Sequence, residues 1–200
     1  MDTDDHRICF VGDSLVHGTD DPQCRGWPGR ITAEARKRGF NVTHYNLGVR
    51  ADTSNEIAVR WHLECAIRLP EHVKRYVVFS FGVNDITHKD GACRVSEEDS
   101  VKNFKAIISR ASSLYQTAVI GPSPVADDAS NRRISHLSRI FQAAAQQVYV
   151  PYFPVFDVLL ADTVWMSQVQ GNDGSHPAAE GYDTLAKLVI AWPSWWFHHA

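Results

Sequence analysis

The chain has no apolar run approaching the roughly 20 residues needed to span a bilayer, since charge or proline interrupts its longest candidates. A transmembrane segment is therefore excluded from the reading. No leader is evident either: Met1 to Leu15 start acidic and pass directly into Ile8-Cys9-Phe10-Val11, without a basic n-region or a long apolar h-region. The expected location is cytoplasmic. Cysteine is scarce, and Cys9, Cys24, Cys65 and Cys93 are widely spaced with no C-x-x-C pairing. They read as free thiols in a chain long enough to need no covalent staples. The ten histidines do not cluster near those thiols at zinc-site spacing, so no metal is expected. Dense positive charge is missing as well. Arg36-Lys37-Arg38 and Arg132-Arg133 are too short for a basic stripe, and the formal net charge is -3, so nucleic acid is not an expected partner.

What is present is the composition of a globular protein, 44% hydrophobic and 22% charged over 200 residues, which suits a single domain spanning 1–200. Short apolar runs predict buried strands at Ile8 to Val11, Val42 to Leu47, Tyr76 to Phe81, Ala118 to Gly121 and Tyr152 to Val155. Apolar residues at helical spacing lie between them: Ile57, Trp61 and Cys65; Val101, Phe104 and Ile108; Ile134, Leu137 and Phe141. Ser96, three residues before Asp99, is a candidate N-cap, and Pro28 fits the first turn of an earlier helix. Alternating strands and helices imply parallel strands with right-handed crossovers. The expected fold class is α/β, a three-layer α/β/α sandwich around a five-stranded parallel sheet.

In such sheets ligands bind beyond the carboxyl ends of the strands. The loops there are Gly12-Asp13-Ser14-Leu15, Gly48-Val49-Arg50, Gly82-Val83-Asn84-Asp85 and Gly121-Pro122-Ser123-Pro124, with a last loop at Asp173-Gly174-Ser175-His176-Pro177. A serine hydroxyl becomes a nucleophile when a base takes its proton, and an imidazole held in one tautomer by a carboxylate is the common base. Asp173 and His176 offer that pair, with Gly174 supplying unusual dihedrals and Pro177 opening the next helix. Ser14 would lie opposite. The N–H groups of Ser14 and Gly48 and the side-chain amide of Asn84 would form an oxyanion hole. This chemistry calls for no metal and no cofactor.

Taken singly each loop has a plainer reading, as a strand-ending turn or a helix cap. Their conjunction points to catalysis. Gly12-Asp13-Ser14-Leu15, Asn46-Leu47-Gly48, Gly82-Val83-Asn84-Asp85 and Asp173-x-x-His176-Pro177 resemble, in order and spacing, the four signature blocks of the SGNH/GDSL hydrolase family, from Ile8 to about Tyr182. The resemblance implies a flavodoxin-like sheet of order 2-1-3-4-5 and esterase, lipase or thioesterase activity on a small-molecule ester. Carried over, Ser14 is the nucleophile, His176 the base, Asp173 its orienting acid, and Gly48 and Asn84 oxyanion donors.

The second block departs from the pattern. Many relatives have Gly followed by Asp-Thr, where this chain has Val49-Arg50-Ala51-Asp52-Thr53, so backbone freedom is reduced there. Arg50 either favours an acidic substrate or faces solvent. Asp13 is expected to hold its turn by bonding backbone amides, and His17 to have a minor role. Trp165 is a wall of the acyl pocket or a core residue. The segment Ala191 to Phe197, with half the tryptophans, is read as packed on the fold or as a homodimer contact. Two other enzyme readings are a carbohydrate O-acetyl esterase and a thioesterase or lysophospholipase. The non-enzymatic alternative is a phosphate- or nucleotide-binding module, disfavoured because the first loop lacks repeated glycines or a P-loop lysine.

Overall fold

A computed structural model describes residues 4–89 and 91–198. Five parallel strands form one sheet in the order β2-β1-β3-β6-β7: β1 His6–Gly12, β2 Val42–Gly48, β3 Lys74–Ser80, β6 Gln116–Ile120 and β7 Tyr152–Phe153. Counting these strands alone, the order is the expected 2-1-3-4-5. Two elements lie outside that sheet, β4 His88–Lys89 and β5 Ala92–Cys93, paired as a small antiparallel hairpin.

The side-chain period of two along β1 divides the core between the two sheet faces. Cys9 and Val11 join a cluster with Ile57, Trp61, Phe104 and Phe141. These come from α3 Ser54–Ala66, α4 Glu97–Ser112 and α5 Asp128–Gln147. Phe104 and Phe141 stack at 4.0 Å, the closest ring pair between α4 and α5. Ile8 and Phe10 face the other way, onto Trp27, Ile31, Trp165 and Tyr182. That layer is α2 Gly26–Lys37, α7 Thr163–Gly171 and α8 Ala179–Ala191. Short α1 Ser14–His17 and α6 Phe156–Leu160 complete the helices. Among the described residues no helix is long and apolar enough to cross a membrane.

Ser96 caps α4 by accepting the Asp99 N–H at 3.1 Å, and Pro28 sits in the first turn of α2, both as expected. The last strand is shorter than its apolar run. Val155 leaves the sheet to become the N-cap of α6. The start of α8 also differs: Pro177 does not open it, and the helix begins at Ala179 behind Ala178, which makes no side-chain cap bond. The aromatic segment belongs to the core. Trp195 and Phe197 are buried, and Phe197 lies edge-on to Phe40 at 5.2 Å, closing the amino-terminal end of the sheet beside His6 and Tyr76.

Candidate functional site

β1 must approach its neighbours closely at its carboxyl end. A Cβ on Gly12 would fall 2.0 Å from the Ser80 carbonyl oxygen, so only glycine fits where β1 meets β3. Asp13 then caps α1, its Oδ1 accepting the Leu15 N–H at 3.0 Å, the turn-holding role expected of it. The other carboxylate oxygen is buried without a partner. Burial, with Asp85 and Asp52 adding negative charge, pushes the Asp13 carboxyl up to about 7 despite the Leu15 N–H. This cap fixes Ser14 as the first residue of α1, where its N–H has no intrahelical acceptor.

The last loop folds on its own short-range bonds. Asp173 Oδ1 accepts the N–H groups of Ser175 at 2.9 Å and His176 at 2.8 Å, and Gly174 turns the chain at φ 84°. Asp173 Oδ2 lies 2.7 Å from His176 Nδ1. Burial works to raise the Asp173 carboxyl, but the hydrogen bonds from the His176 side chain and the two N–H groups outweigh it and hold it below its ordinary value. The other face of the imidazole meets the first loop: His176 Nε2 is 2.7 Å from Ser14 Oγ. Ser14, His176 and Asp173 thus stand in one hydrogen-bonded row.

Gly48 ends β2 beside the first loop. A Cβ there would sit 2.1 Å from His17 N and 2.7 Å from Asp13 O. Its N–H donates to Asn46 Oδ1 at 3.0 Å, while Asn46 Nδ2 donates to Val16 O at 2.8 Å, so Asn46 ties the second block to α1. Asn84 donates from Nδ2 to Asp52 O at 2.9 Å. Asp85 is fully buried, accepting the Ser54 N–H at 2.7 Å and the Ser100 hydroxyl.

Two arginines unassigned in the sequence hold these loops together. Arg60 of α3 donates to Asp52 Oδ2 at 2.6 Å, to Gly12 O at 2.9 Å and to Leu47 O at 3.0 Å, joining the ends of β1 and β2 to the loop that orients Asn84. Arg30 of α2 pairs with buried Asp21 and with Asp183, and donates to Ala179 O at 3.3 Å, joining the loop after Ser14 to the helix after His176. Burial alone would raise the Asp21 carboxyl; Arg30 and the N–H groups of Gln23, Gly26 and Arg25 bring it down to about 2. A readable signal existed for both: each arginine falls on an apolar helix face, Arg30 between Trp27 and Ile31, Arg60 between Ile57 and Trp61. Asp20 was also missed, because Asp20-Asp21 looks like an ordinary solvated turn.

Arg50 is exposed, and so is His17, whose Nδ1 lies 3.5 Å from Thr19 Oγ1. Trp165 lies within α7 and is fully buried, donating from Nε1 to Pro124 O at 3.2 Å, so it is a core residue. Asp20, Asp173 and His176 are the ligating groups whose atoms fall within 4.8 Å of one another among the described residues. An apolar cavity of about 260 Å³ lined by Ile86, Val95 and Leu137 has Asp85 in its wall, but neither Ser14 nor His176.

The fold recurs in solved structures. A lipase/acylhydrolase from Enterococcus faecalis superposes with a TM-score of 0.75 at 22% identity, covering 92% of this chain and 93% of its own. An α/β hydrolase from the metagenome of Lake Arreo, Spain, gives 0.74 at 17% identity, covering 93% and 94%. An acetylxylan esterase from Geobacillus stearothermophilus gives 0.73 at 15% identity, covering 92% of each. Catalytic mutants of that esterase carry alanine in place of a serine, an aspartate or a histidine. No curated protein matches the chain. The model of the GDSL-like lipase/acylhydrolase family matches residues 10–184, nearly the whole sequence, and the chain belongs to that family.

Proposed function

We propose that the protein is a serine ester hydrolase acting through an acyl-enzyme on Ser14. The observation that carries this is the unbroken row from Ser14 Oγ to His176 Nε2, 2.7 Å, and from His176 Nδ1 to Asp173 Oδ2, 2.7 Å. As Ser14 Oγ attacks the ester carbonyl, its proton passes to His176 Nε2, and Asp173 steadies the imidazolium through Nδ1–H. Collapse of the tetrahedral intermediate breaks the bond to the alcohol, which takes the proton from Nε2. Water then repeats the sequence on the acyl group, giving the carboxylic acid and restoring the Ser14 hydroxyl.

The developing oxyanion is assigned to the N–H groups of Ser14 and Gly48 and the amide of Asn84. The Asp52 bond leaves Asn84 one N–H for this task and fixes its direction. The Gly48 N–H must be shared with Asn46 Oδ1, a cost offset by a donor already aimed. The catalytic serine, aspartate and histidine of the acetylxylan esterase, the latter two three residues apart as Asp173 and His176 are, support the roles proposed for Ser14, Asp173 and His176.

The test is covalent labelling by a fluorophosphonate, with the modified residue located by mass spectrometry, beside hydrolysis of p-nitrophenyl esters from acetate to palmitate. Labelling at Ser14 and turnover lost in Ser14→Ala are expected, and the preferred chain length then separates acetyl-ester from long-acyl substrates. A protein that neither labels at Ser14 nor turns over any of these esters is not this enzyme, and a binding role would take its place; turnover that survives in Ser14→Ala would instead mean another nucleophile.

A further inference from the structure

The loop after Ser14 brings a second carboxylate to the histidine. Asp20 Oδ2 lies 3.9 Å from His176 Nδ1, against 2.7 Å for Asp173 Oδ2. Asp20 holds φ at 63°, a left-handed backbone that costs a side chain with a Cβ and that aspartate and asparagine tolerate better than most. The surroundings over-determine this conformation. Asn172 donates from Nδ2 both to Asp20 Oδ2 and to His176 O, each at 3.1 Å. On one side of Asp20, the Thr19 carbonyl accepts the Tyr182 hydroxyl at 2.7 Å. On the other, Asp21 accepts the N–H groups of Gln23, Arg25 and Gly26 and pairs with Arg30, which is anchored on α8. The loop carrying Asp20 is therefore pinned to the helix that follows His176, and through Asn172 to the His176 backbone itself.

Nδ1 has one hydrogen to give, and at 2.7 Å Asp173 takes it. Asp20 stands too far for a hydrogen bond, yet within the distance at which opposite charges attract appreciably. Asp21 and Asp183 are matched by Arg30, and Asp13 is buried.

We propose that Asp20 is a second positioning carboxylate for His176, lending negative charge to the imidazolium while Asp173 holds Nδ1–H, and accepting that hydrogen when Asp173 is neutralised. The proposal rests on the reading of His176 as the base. Asp20 is 39% exposed, so solvent screens its charge and its contribution beside an intact Asp173 is modest.

Asp20→Asn, Asp173→Asn and the double variant test it. Asparagine suits the left-handed backbone and still accepts from Asn172, so charge is removed while the loop is kept. Asp20→Asn should lower kcat roughly 3-fold with KM unchanged, and Asp173→Asn about 100-fold. The double variant should fall on the order of 10⁴-fold, the loss expected when an imidazole has no carboxylate. The low-field proton resonance of His176 Nδ1–H should persist in Asp173→Asn and vanish in the double variant, a change that a merely structural Asp20 would not produce. Loss of that resonance already in Asp173→Asn, or a double variant no slower than Asp173→Asn, overturns the proposal. Failure of the unsubstituted protein to label at Ser14 would instead count against the hydrolase reading, and the resonance would still judge Asp20.

Discussion

The guanidinium of Arg60 reaches the carboxylate of Asp52 at 2.6 Å, and through it governs where Asn84 points. Both side chains are largely withdrawn from water, 17% and 11% exposed. Removing one partner leaves the other charge buried and unmatched. Arg60→Met should therefore cost about 3 kcal/mol of folding stability, read as a shift in urea midpoint. It should also lower kcat at least ~10-fold as Asn84 loses its fixed partner. Arg60→Lys should recover part of the stability but little of the rate, because lysine cannot hold the strand-end carbonyls and Asp52 together in one planar fork. Equal recovery of both would show that charge alone suffices.

Ser14 and His176 are expected to act as one unit. Each alanine variant should lose on the order of 10⁴-fold or more in kcat, and the double variant should be no worse than either single. Multiplicative losses in steady-state assays would mean that the two side chains contribute independently, contrary to the proton transfer between them.

The buried Asp13 carboxyl gives a signature in stability. With its value raised from 3.8 to about 7, the folded state holds a proton that the unfolded chain releases across that window. Unfolding free energy therefore falls as pH rises toward about 7: the stabilisation is fully present below 3.8 and lost above. Asp13→Asn keeps the oxygen that accepts from Leu15 and removes the titration. Relative to the unsubstituted protein, it should gain on the order of 3 kcal/mol between about pH 5 and about pH 8 in denaturant melts. Parallel pH curves for the two proteins would refute the assignment.

Ala51 takes a left-handed backbone, φ 66°, in the very stretch where the sequence departs from the family pattern. The strain is roughly 1–2 kcal/mol, partly offset on replacement by the greater freedom of glycine in the unfolded chain. Ala51→Gly should stabilise the protein by about 0.5–1 kcal/mol, measured by chemical denaturation. A destabilised variant would mean that the turn is held without strain.

The sheet was legible because its strands, buried on both faces, are written as short apolar runs: Ile8 to Val11 lies inside β1, and Ala118 to Ile120 inside β6. The hairpin at His88–Lys89 and Ala92–Cys93 has no such mark, each strand being only two residues long. The start of α8 was misplaced at Pro177 because Ala178 caps it without a side-chain bond, leaving nothing to read. Within the site, Asp173 and His176 were legible because their contact is local, three residues apart. Asp20, Arg30 and Arg60 act across large separations in the chain, Arg30 to Asp183 spanning 153 residues, and no spacing rule reaches that far.

The row from Ser14 to His176 joins positions 162 residues apart. At a synthesis rate of about 5–20 residues per second, roughly 8–30 s pass between the emergence of the serine and that of the histidine. Throughout that interval the growing chain carries a serine with no base beside it. On the mechanism proposed above, hydrolytic competence is tied to the arrival of the loop that carries His176, so a chain broken off before that loop would be chemically silent.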